Sequence, residues 1–417
     1  MAQTHLEEIT INGYRSCMET TFRPNESLSG LIGINGAGKT NILNALRLLN
    51  PDLYGRTFRQ KSEEPTLPAT ILTATFRVGD KRVRLRLTLI LSTSGGNEEV
   101  ISATEQWNFK DFDRSRAWLE FPSSFLQLKN RHIGFEQHIL LNSSLHGKSG
   151  ISVFDHFKSI LDNDKLLSAV QAVITFRTQI KYYGASQFTD PTRCPSSFEI
   201  DGDDKLERTY YSRPTPSHLQ FLFDLYSLRK TNPDLYHDYE MFVSTKMLGL
   251  VSRLSWKPVR LSSNTVEIKS GGSIKKVRQY KTLVIPKVQI GSSHITFNQL
   301  SEGTFKTLAL IFYIMTDKGS CLLIEEPEVC IHHGLLRRIL STIKAHSKQR
   351  QVIFSTHSDL VLDTISNNEV FVVDMKKSIT KVSRLSDWAG KDGMSALDAY
   401  LNETGTLGEY WRSGGLL

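Results

Sequence analysis

Gly33-Ile34-Asn35-Gly36-Ala37-Gly38-Lys39-Thr40 lies between an apolar run, Leu28 to Ile32, and a stretch of helical spacing, Asn41 to Leu49 with Ile42, Ala45, Leu46 and Leu49 apolar. The string satisfies G-x-x-x-x-G-K-[ST]. Backbone N–H groups can surround a polyphosphate only where side chains are absent, and Gly33, Gly36 and Gly38 supply that room. Lys39 is placed to reach the β- and γ-phosphates and the Thr40 hydroxyl to hold Mg²⁺. The flanks predict strand, loop and helix, so the phosphates sit on a helix N-terminus, where orphan N–H groups and the dipole favour anions. Asn35 to Asn41 are the residues expected around them.

Three strings further along decide what accompanies this loop. The apolar run Cys321 to Ile324 ends in Glu325-Glu326-Pro327-Glu328. Adjacent side chains on a strand point opposite ways, but at a strand's exit the turn can aim both at one site. We assign Glu325 to the metal, through water, and Glu326 to activation of the attacking water; the alternative is a solvated acidic turn. A second apolar run, Gln351 to Ser355, leads into Thr356-His357-Ser358-Asp359. Taken singly His357 reads as a structural histidine, but one strand after the paired glutamates it is placed to sense a γ-phosphate. Between them, Leu300-Ser301-Glu302-Gly303-Thr304 opens a helical run (Phe305, Leu308, Ala309, Phe312), a second capped helix start suited to an anion. Two such starts far apart in one chain predict that two copies meet head to tail, each closing its mate's nucleotide with the Ser301, Glu302 and Gly303 segment.

This order of motifs resembles the ATP-binding-cassette ATPases, and within them the branch of RecF, the SMC proteins and the ATPase half of the OLD nucleases. Glu-Glu-Pro-Glu at 325–328, Ser-Thr-His-Ser at 355–358 and the opening Ile9-Thr10-Ile11-Asn12-Gly13-Tyr14-Arg15-Ser16 are strings of that branch. The resemblance covers residues about 5–50 and 295–375 well and the middle loosely. It implies an α/β cassette head with an antiparallel β-subdomain and an inserted short helical subdomain. It also implies ATP and Mg²⁺ as cofactors, hydrolysis to ADP and phosphate, Arg15 and Ser16 near the nucleotide, and a glutamine that touches Mg²⁺ and couples the lobes. Gln187 is the candidate, with Gln179, Gln127 and a structural role as alternatives. Two departures stand out: Glu302 replaces a glycine of the transporter signature, and Glu325 replaces an aspartate. The expected organisation is an ATPase lobe over 1–190, a helical and basic insertion over 191–295, and a second ATPase lobe over 296–417.

At 417 residues the chain exceeds one typical core. It has no run approaching the roughly 18 apolar residues of a membrane span, and no signal-peptide pattern opens it, so a cytoplasmic protein without a membrane partner is expected. Cys17, Cys194, Cys321 and Cys330 lack C-x-x-C spacing and read as reduced thiols; no ligand pair follows Cys330-Ile331-His332-His333 at zinc-finger spacing. Thr70 to Val78 and Lys81 to Leu89 read as a hairpin, with Val83, Leu85, Leu87 and Leu89 alternating with Arg82, Arg84, Arg86 and Thr88, and Glu99 to Phe109 as a further strand. Thr215 to Lys230 and Pro233 to Leu254 read as helices, and the lack of a long heptad run argues against SMC-length arms. Asn142 to Gly150 and Pro191 to Asp204 read as loops. From Arg253 to Gln289 nine cations face Glu267 alone, near Trp256 and Tyr280. That pattern suits a nucleic-acid backbone and equally a solvated strand pair, Arg260 to Lys269 and Ser273 to Val284, around Gly271-Gly272.

The function expected from the resemblance is an ATPase that dimerises around two nucleotides and acts as a conformational switch in DNA metabolism or anti-phage defence, with a separate effector such as a nuclease. A slow scaffold that holds and releases an effector is the alternative. A transporter subunit fits poorly, because 262 residues separate Lys39 from Ser301. A GTPase lacks its Asn/Thr-Lys-x-Asp string. The roughly 60 residues after His357 contain no Asp-x-Asp, so no nuclease domain is expected there.

Overall fold

The computed structural model describes residues 4–53, 69–94, 97–111, 119–120, 164–184, 187–200, 217–268, 274–329, 331, 333–403 and 405–414. Gln127, Asn142 to Gly150 (expected as a loop), Cys330, His332, Lys269, Gly271 and Gly272 lie outside the described residues. The chain divides into two compact units: Met1–Gly184 with Lys318–Pro327 and Ile343–Leu417, and Ala185–Asp317 with Glu328–Thr342.

The first unit holds two six-stranded sheets. Its early elements are β1 (Thr4–Asn12), β2 (Thr20–Phe22), β3 (Leu28–Ile32), α1 (Lys39–Arg47), β4 (Thr70–Val78), β5 (Lys81–Ser94), β6 (Asn97–Asp111), β7 (Leu119–Glu120), α2 (Asp164–Thr178) and β8 (Ile180–Tyr183). The antiparallel sheet runs β2-β1-β4-β5-β6-β7. The β4–β5 turn forms at Gly79-Asp80, where Gly79 has φ 60°. Val83, Leu85, Leu87 and Leu89 are buried and the intervening arginines are not, so the alternation in sequence is the alternation of faces. The second sheet adds β13 (Cys321–Glu325), β14 (Gln351–Thr356), β15 (Val370–Lys376) and β16 (Ile379–Arg384), in the order β16-β15-β3-β14-β13-β8, parallel except for β16. β3 and β14 are buried throughout, as central parallel strands are. One apolar core joins the two sheets through α1 (Ile42, Leu43, Leu46) and α2 (Val170, Val173, Phe176). Inside it, Arg177 donates to the Leu49 carbonyl at 2.8 Å and pairs with Glu105 at 2.7 Å, so the buried charge is neutralised.

The second unit contains β9 (Phe198–Ile200), α3 (Ser217–Thr231), α4 (Pro233–Val243), β10 (Arg253–Ile268), β11 (Ile274–Ile290), β12 (Ser293–Ile295) and α5 (Glu302–Thr316). α6 (His333–His346) spans the boundary of the units. Aromatic residues fill the core of the second unit: Phe221 makes edge contacts with Phe297, Phe305 and Phe312. Tyr239 donates to the Leu308 carbonyl at 3.0 Å, and burial holds its phenol well above the usual range. The helix expected over Pro233 to Leu254 stops at Val243. Ser244 caps it in an extended conformation, and Gly249, with φ 76°, turns the chain into β10. The loop expected from Pro191 holds a short helical turn, Pro191–Arg193, and the strand β9, which pairs with β11. β10 and β11 run longer than expected, 16 and 17 residues, as a two-stranded ribbon.

Candidate nucleotide site

Three parallel strands of the first unit end side by side. The register pairs Glu325 with Ser355 and Thr356 with Ile32, so Glu326, His357 and Gly33 each stand one step beyond aligned strand ends. Ligands of open α/β sheets bind outside those carboxyl ends.

The glycine loop leaves β3 and enters α1, whose cap residue Gly38 has φ 102°. A Cβ at Gly38 would stand 2.1 Å from the Thr380 Oγ1, and one at Gly33 2.2 Å from the Val373 carbonyl, so both positions exclude side chains. Lys39 is buried. Its ammonium donates to the Gly33 carbonyl at 2.9 Å and the Ile34 carbonyl at 3.1 Å, and lies 3.2 Å from His357 Nδ1. An ammonium can only donate, so Nδ1 is the acceptor and Nε2 carries the ring proton. Nε2 lies 3.0 Å from Glu326 Oε1, which completes a line from Lys39 through His357 to Glu326. The turn that aims Glu326 there requires φ 44°, rare for a residue with a Cβ; its N–H is held by the Ser355 carbonyl at 3.1 Å. Strain of this kind gathers at functional sites.

Glu325 faces the other side of the loop. Thr40 Oγ1 donates to its Oε1 at 2.5 Å and Tyr182 donates to its Oε2 at 2.6 Å. Burial, with this carboxylate beside it, pushes the Tyr182 phenol far up, so the hydroxyl stays protonated and keeps its hydrogen bond. The Arg47 guanidinium lies 5.2 Å from the Tyr182 ring centre. Thr40 and Glu325 together present hard oxygens of the kind Mg²⁺ takes, and the shell is completed by phosphate and water in such sites. The donor set therefore fits the ion.

The turn after β1 braces the loop from outside. Arg15, at φ 50°, donates to Asn41 Oδ1 at 3.2 Å, and Asn41 donates to Ser16 Oγ at 2.7 Å. Ser16 Oγ lies 2.7 Å from Thr380 Oγ1, which donates to the Ala37 carbonyl at 3.0 Å. The Thr380 N–H also bonds the Ser16 carbonyl at 2.9 Å. Thr380, on β16, ties the Arg15-Ser16 turn to the glycine loop, and sequence reasoning missed it. We expect Thr380→Val to weaken ATP binding about tenfold, the loss of one or two buried hydrogen bonds at ~1 kcal/mol each, with Thr380→Ser restoring it. A fluorescent-ATP titration reads this, and unchanged affinity in the valine variant would remove Thr380 from the brace.

A crevice beside His357 is lined by Ile32, Gly33, Thr356, Ser358, Leu362 and Trp411. Trp411 belongs to the short helix α8 (Leu407–Arg412), which packs on α7 (Asp359–Leu362) through Arg412 to Asp359 and the Gly408 N–H to Asp363 at 2.8 Å. Trp411 too went unread in the sequence.

Asn35 and Gly36 are exposed at the loop tip. Gln179 accepts from Ser320 at 2.7 Å, at the start of β13 and far from Glu325 at its exit. Gln187 belongs to the second unit, where its carbonyl accepts from Ser217 at 2.9 Å. In the same unit Ser301 is exposed and caps α5, accepting from the Thr304 N–H at 3.3 Å, with Glu302 and Gly303 in the first turn. Cys17, Cys194 and Cys321 are buried free thiols, and among the described residues no helix is long and apolar enough to cross a membrane.

Two family models match: "AAA domain" over residues 8–174 and "AAA domain, putative AbiEii toxin, Type IV TA system" over residues 291–363. Among curated proteins, the chain is similar to the DNA replication and repair protein RecF of Pseudoalteromonas atlantica, 37% identical over 54 residues, which is 13% of this chain and 14% of that protein. It is likewise similar to RecF of a Caulobacter species, 43% identical over 51 residues, 12% of this chain and 13% of that one. The chain thus matches only about a seventh of the length of these relatives. Among solved structures, the SMC head bound to the C-terminal winged-helix domain of ScpA shares the fold, at TM-score 0.50 and 14% identity over 91% of this chain and 97% of that one.

Proposed function

We propose that the chain is a P-loop ATPase of the RecF and SMC kind that hydrolyses ATP between two copies of itself and uses the cycle as a conformational switch. The observation that carries this reading is the line Lys39–His357–Glu326 across the phosphate loop, opposite the Thr40–Glu325 pair. Lys39 exchanges its loop carbonyls for phosphate oxygens when ATP enters. Glu326 accepts the proton of the attacking water, and His357, its Nε2–H on that carboxylate, holds it in place and registers the γ-phosphate. Thr40 and Glu325 would hold Mg²⁺, which neutralises charge on the β- and γ-oxygens. The second copy contributes Ser301, which is exposed, with Glu302 and Gly303 of the first turn of its α5, a capped helix start of the kind that suits an anion.

The RecF relatives are named for DNA replication and repair, and the second family model for a toxin of a toxin–antitoxin system. These names support placing the switch in DNA metabolism or anti-phage defence, acting through a separate effector such as a nuclease. Ser301→Arg tests the paired site. It removes a helix cap worth ~1 kcal/mol and fills the face with a long cation. ATP affinity should remain within about twofold while ATP-dependent dimerisation, followed by light scattering, and turnover are lost. A variant that still dimerises and turns over ATP would contradict the trans role.

A further inference from the structure

Glu325 is one methylene longer than an aspartate, and the structure shows what that reach meets. β8 and β13 are parallel neighbours, with Tyr182 beside Leu323 and Tyr183 beside Ile324. Side chains two positions apart on a strand share a face, so Tyr182, Leu323 and Glu325 stand on one face of the sheet. Glu325 is the diagonal neighbour of Tyr182, a step that aromatic and long side chains can span. The Tyr182 hydroxyl spans it, donating to Glu325 Oε2 at 2.6 Å.

The tyrosine is seated from several sides. Just beyond α1, Asn50 donates to the Ile180 carbonyl at 3.1 Å and fixes the start of β8. Arg47 of α1 lies over the Tyr182 ring, 5.2 Å from its centre. Gly184 leaves room for the pair: a Cβ there would stand 3.1 Å from Tyr182 Cε1, 3.2 Å from its hydroxyl and 3.3 Å from Glu325 Oε2. Each of these is tighter than ordinary contact, so a side chain at 184 would crowd both members of the pair.

The two oxygens of an ionised carboxylate are alike and only accept. In Glu325 they are made unlike. Oε1 receives the Thr40 hydroxyl at 2.5 Å, the group that would hold Mg²⁺, and Oε2 receives Tyr182. Mg²⁺ demands near-ideal octahedral geometry, keeps several waters and dehydrates reluctantly, whereas Ca²⁺ tolerates irregular shells and accepts a carboxylate through both oxygens. A carboxylate whose second oxygen is already engaged presents a single oxygen to the ion or to one of its waters. We propose that Tyr182 is a positioning and specificity-determining residue for the metal: it engages Oε2 of Glu325 so that Oε1 alone serves the ion, which favours Mg²⁺ over Ca²⁺. This deepens the reading above, on which it rests for a metal-bound nucleotide at the glycine loop. A residue that orients a metal ligand in this way acts on affinity and on the choice of ion without touching the nucleotide.

The test is a fluorescent-ATP titration of the full chain in saturating Mg²⁺, in saturating Ca²⁺ and in EDTA, which reads binding without turnover. The wild-type chain should bind the Mg²⁺ complex more tightly than the Ca²⁺ complex. Tyr182→Phe should weaken binding of the Mg²⁺ complex about tenfold, at the lower end of what outer-shell partners of metal ligands contribute, and leave the Ca²⁺ complex bound as well or better. Binding in EDTA should stay within about twofold, as expected of a site separate from the metal shell. Glu325→Asp withdraws the carboxylate from the tyrosine, so in that background Tyr182→Phe should change Mg²⁺-dependent binding by less than about twofold. Undiminished binding of the Mg²⁺ complex by Tyr182→Phe overturns the proposal, as does an equal loss with both ions. Loss in EDTA overturns it too, by showing a distorted loop, and so does a full tenfold effect in the aspartate background. Failure of the wild-type chain to bind ATP under all three conditions would instead strike the ATPase reading.

Discussion

Lys39→Ala is expected to remove ATP binding, with an affinity loss of at least about a hundredfold. The ammonium is buried and held by the Gly33 and Ile34 carbonyls and by His357 Nδ1. Two of those partners belong to the loop that must receive the phosphates, so the same cation shapes the empty loop and neutralises the filled one. Hydrogen bonds to charged groups contribute about 1.5–3 kcal/mol each, and a tenfold change in affinity is 1.4 kcal/mol. Removing two bonds to phosphate therefore reaches a hundredfold, before the two carbonyls left without their donor are counted. Lys39→Arg should not rescue, because a planar fork does not fit a point-charge site closed on three sides. A fluorescent-ATP titration checks both variants, with circular dichroism as the control for folding. Near-wild-type affinity in the alanine variant would overturn the assignment of the loop.

The parts of this site legible in sequence are those in which chemistry is local. The glycine spacing, the apolar run before it and the helical spacing after it lie within about 20 consecutive residues, and the strand, loop and helix stand where that spacing puts them. Glu326 and His357 were legible because each follows an apolar strand, and parallel strands that start in register end in register. The left-handed backbone at Glu326, which turns it toward His357, had no signal, since nothing in Glu-Glu-Pro-Glu demands φ 44°. Thr380 was illegible for a different reason. It is 364 residues from Ser16, on a short strand of ordinary pattern, and long-range pairing, of β15 with β3 and of β16 with β15, carries it to the loop. The early end of α4 was missed because its apolar residues continue past Val243 (Leu248, Leu250, Val251), and periodicity cannot tell a continuing helix from a turn that buries the same side chains.

Glu326→Gln should bind ATP with wild-type affinity, lower turnover by about 100-fold or more, and accumulate as an ATP-bound dimer. The reasoning separates what the carboxylate holds from what it accepts. Its Oε1 receives the Nε2–H of His357 at 3.0 Å, and the amide oxygen of glutamine receives the same proton, so the line to Lys39 survives. Glutamine also meets φ 44° with the same backbone and nearly the same bulk. What disappears is the ability to take a proton, and general-base catalysis contributes about 10²- to 10⁴-fold. Since the ground state is preserved and only the exit from it is blocked, the closed pair should persist with ATP and fall apart without it. Glu326→Ala gives up the bond from His357 as well, so it should lower turnover while forming the closed dimer less well than glutamine does. The comparison of the two variants by phosphate release and light scattering distinguishes a base from a structural acid. Turnover by the glutamine variant at the wild-type rate would place the base elsewhere. Equal dimer yields from glutamine and alanine would show that His357 needs no partner at Glu326 to close the site.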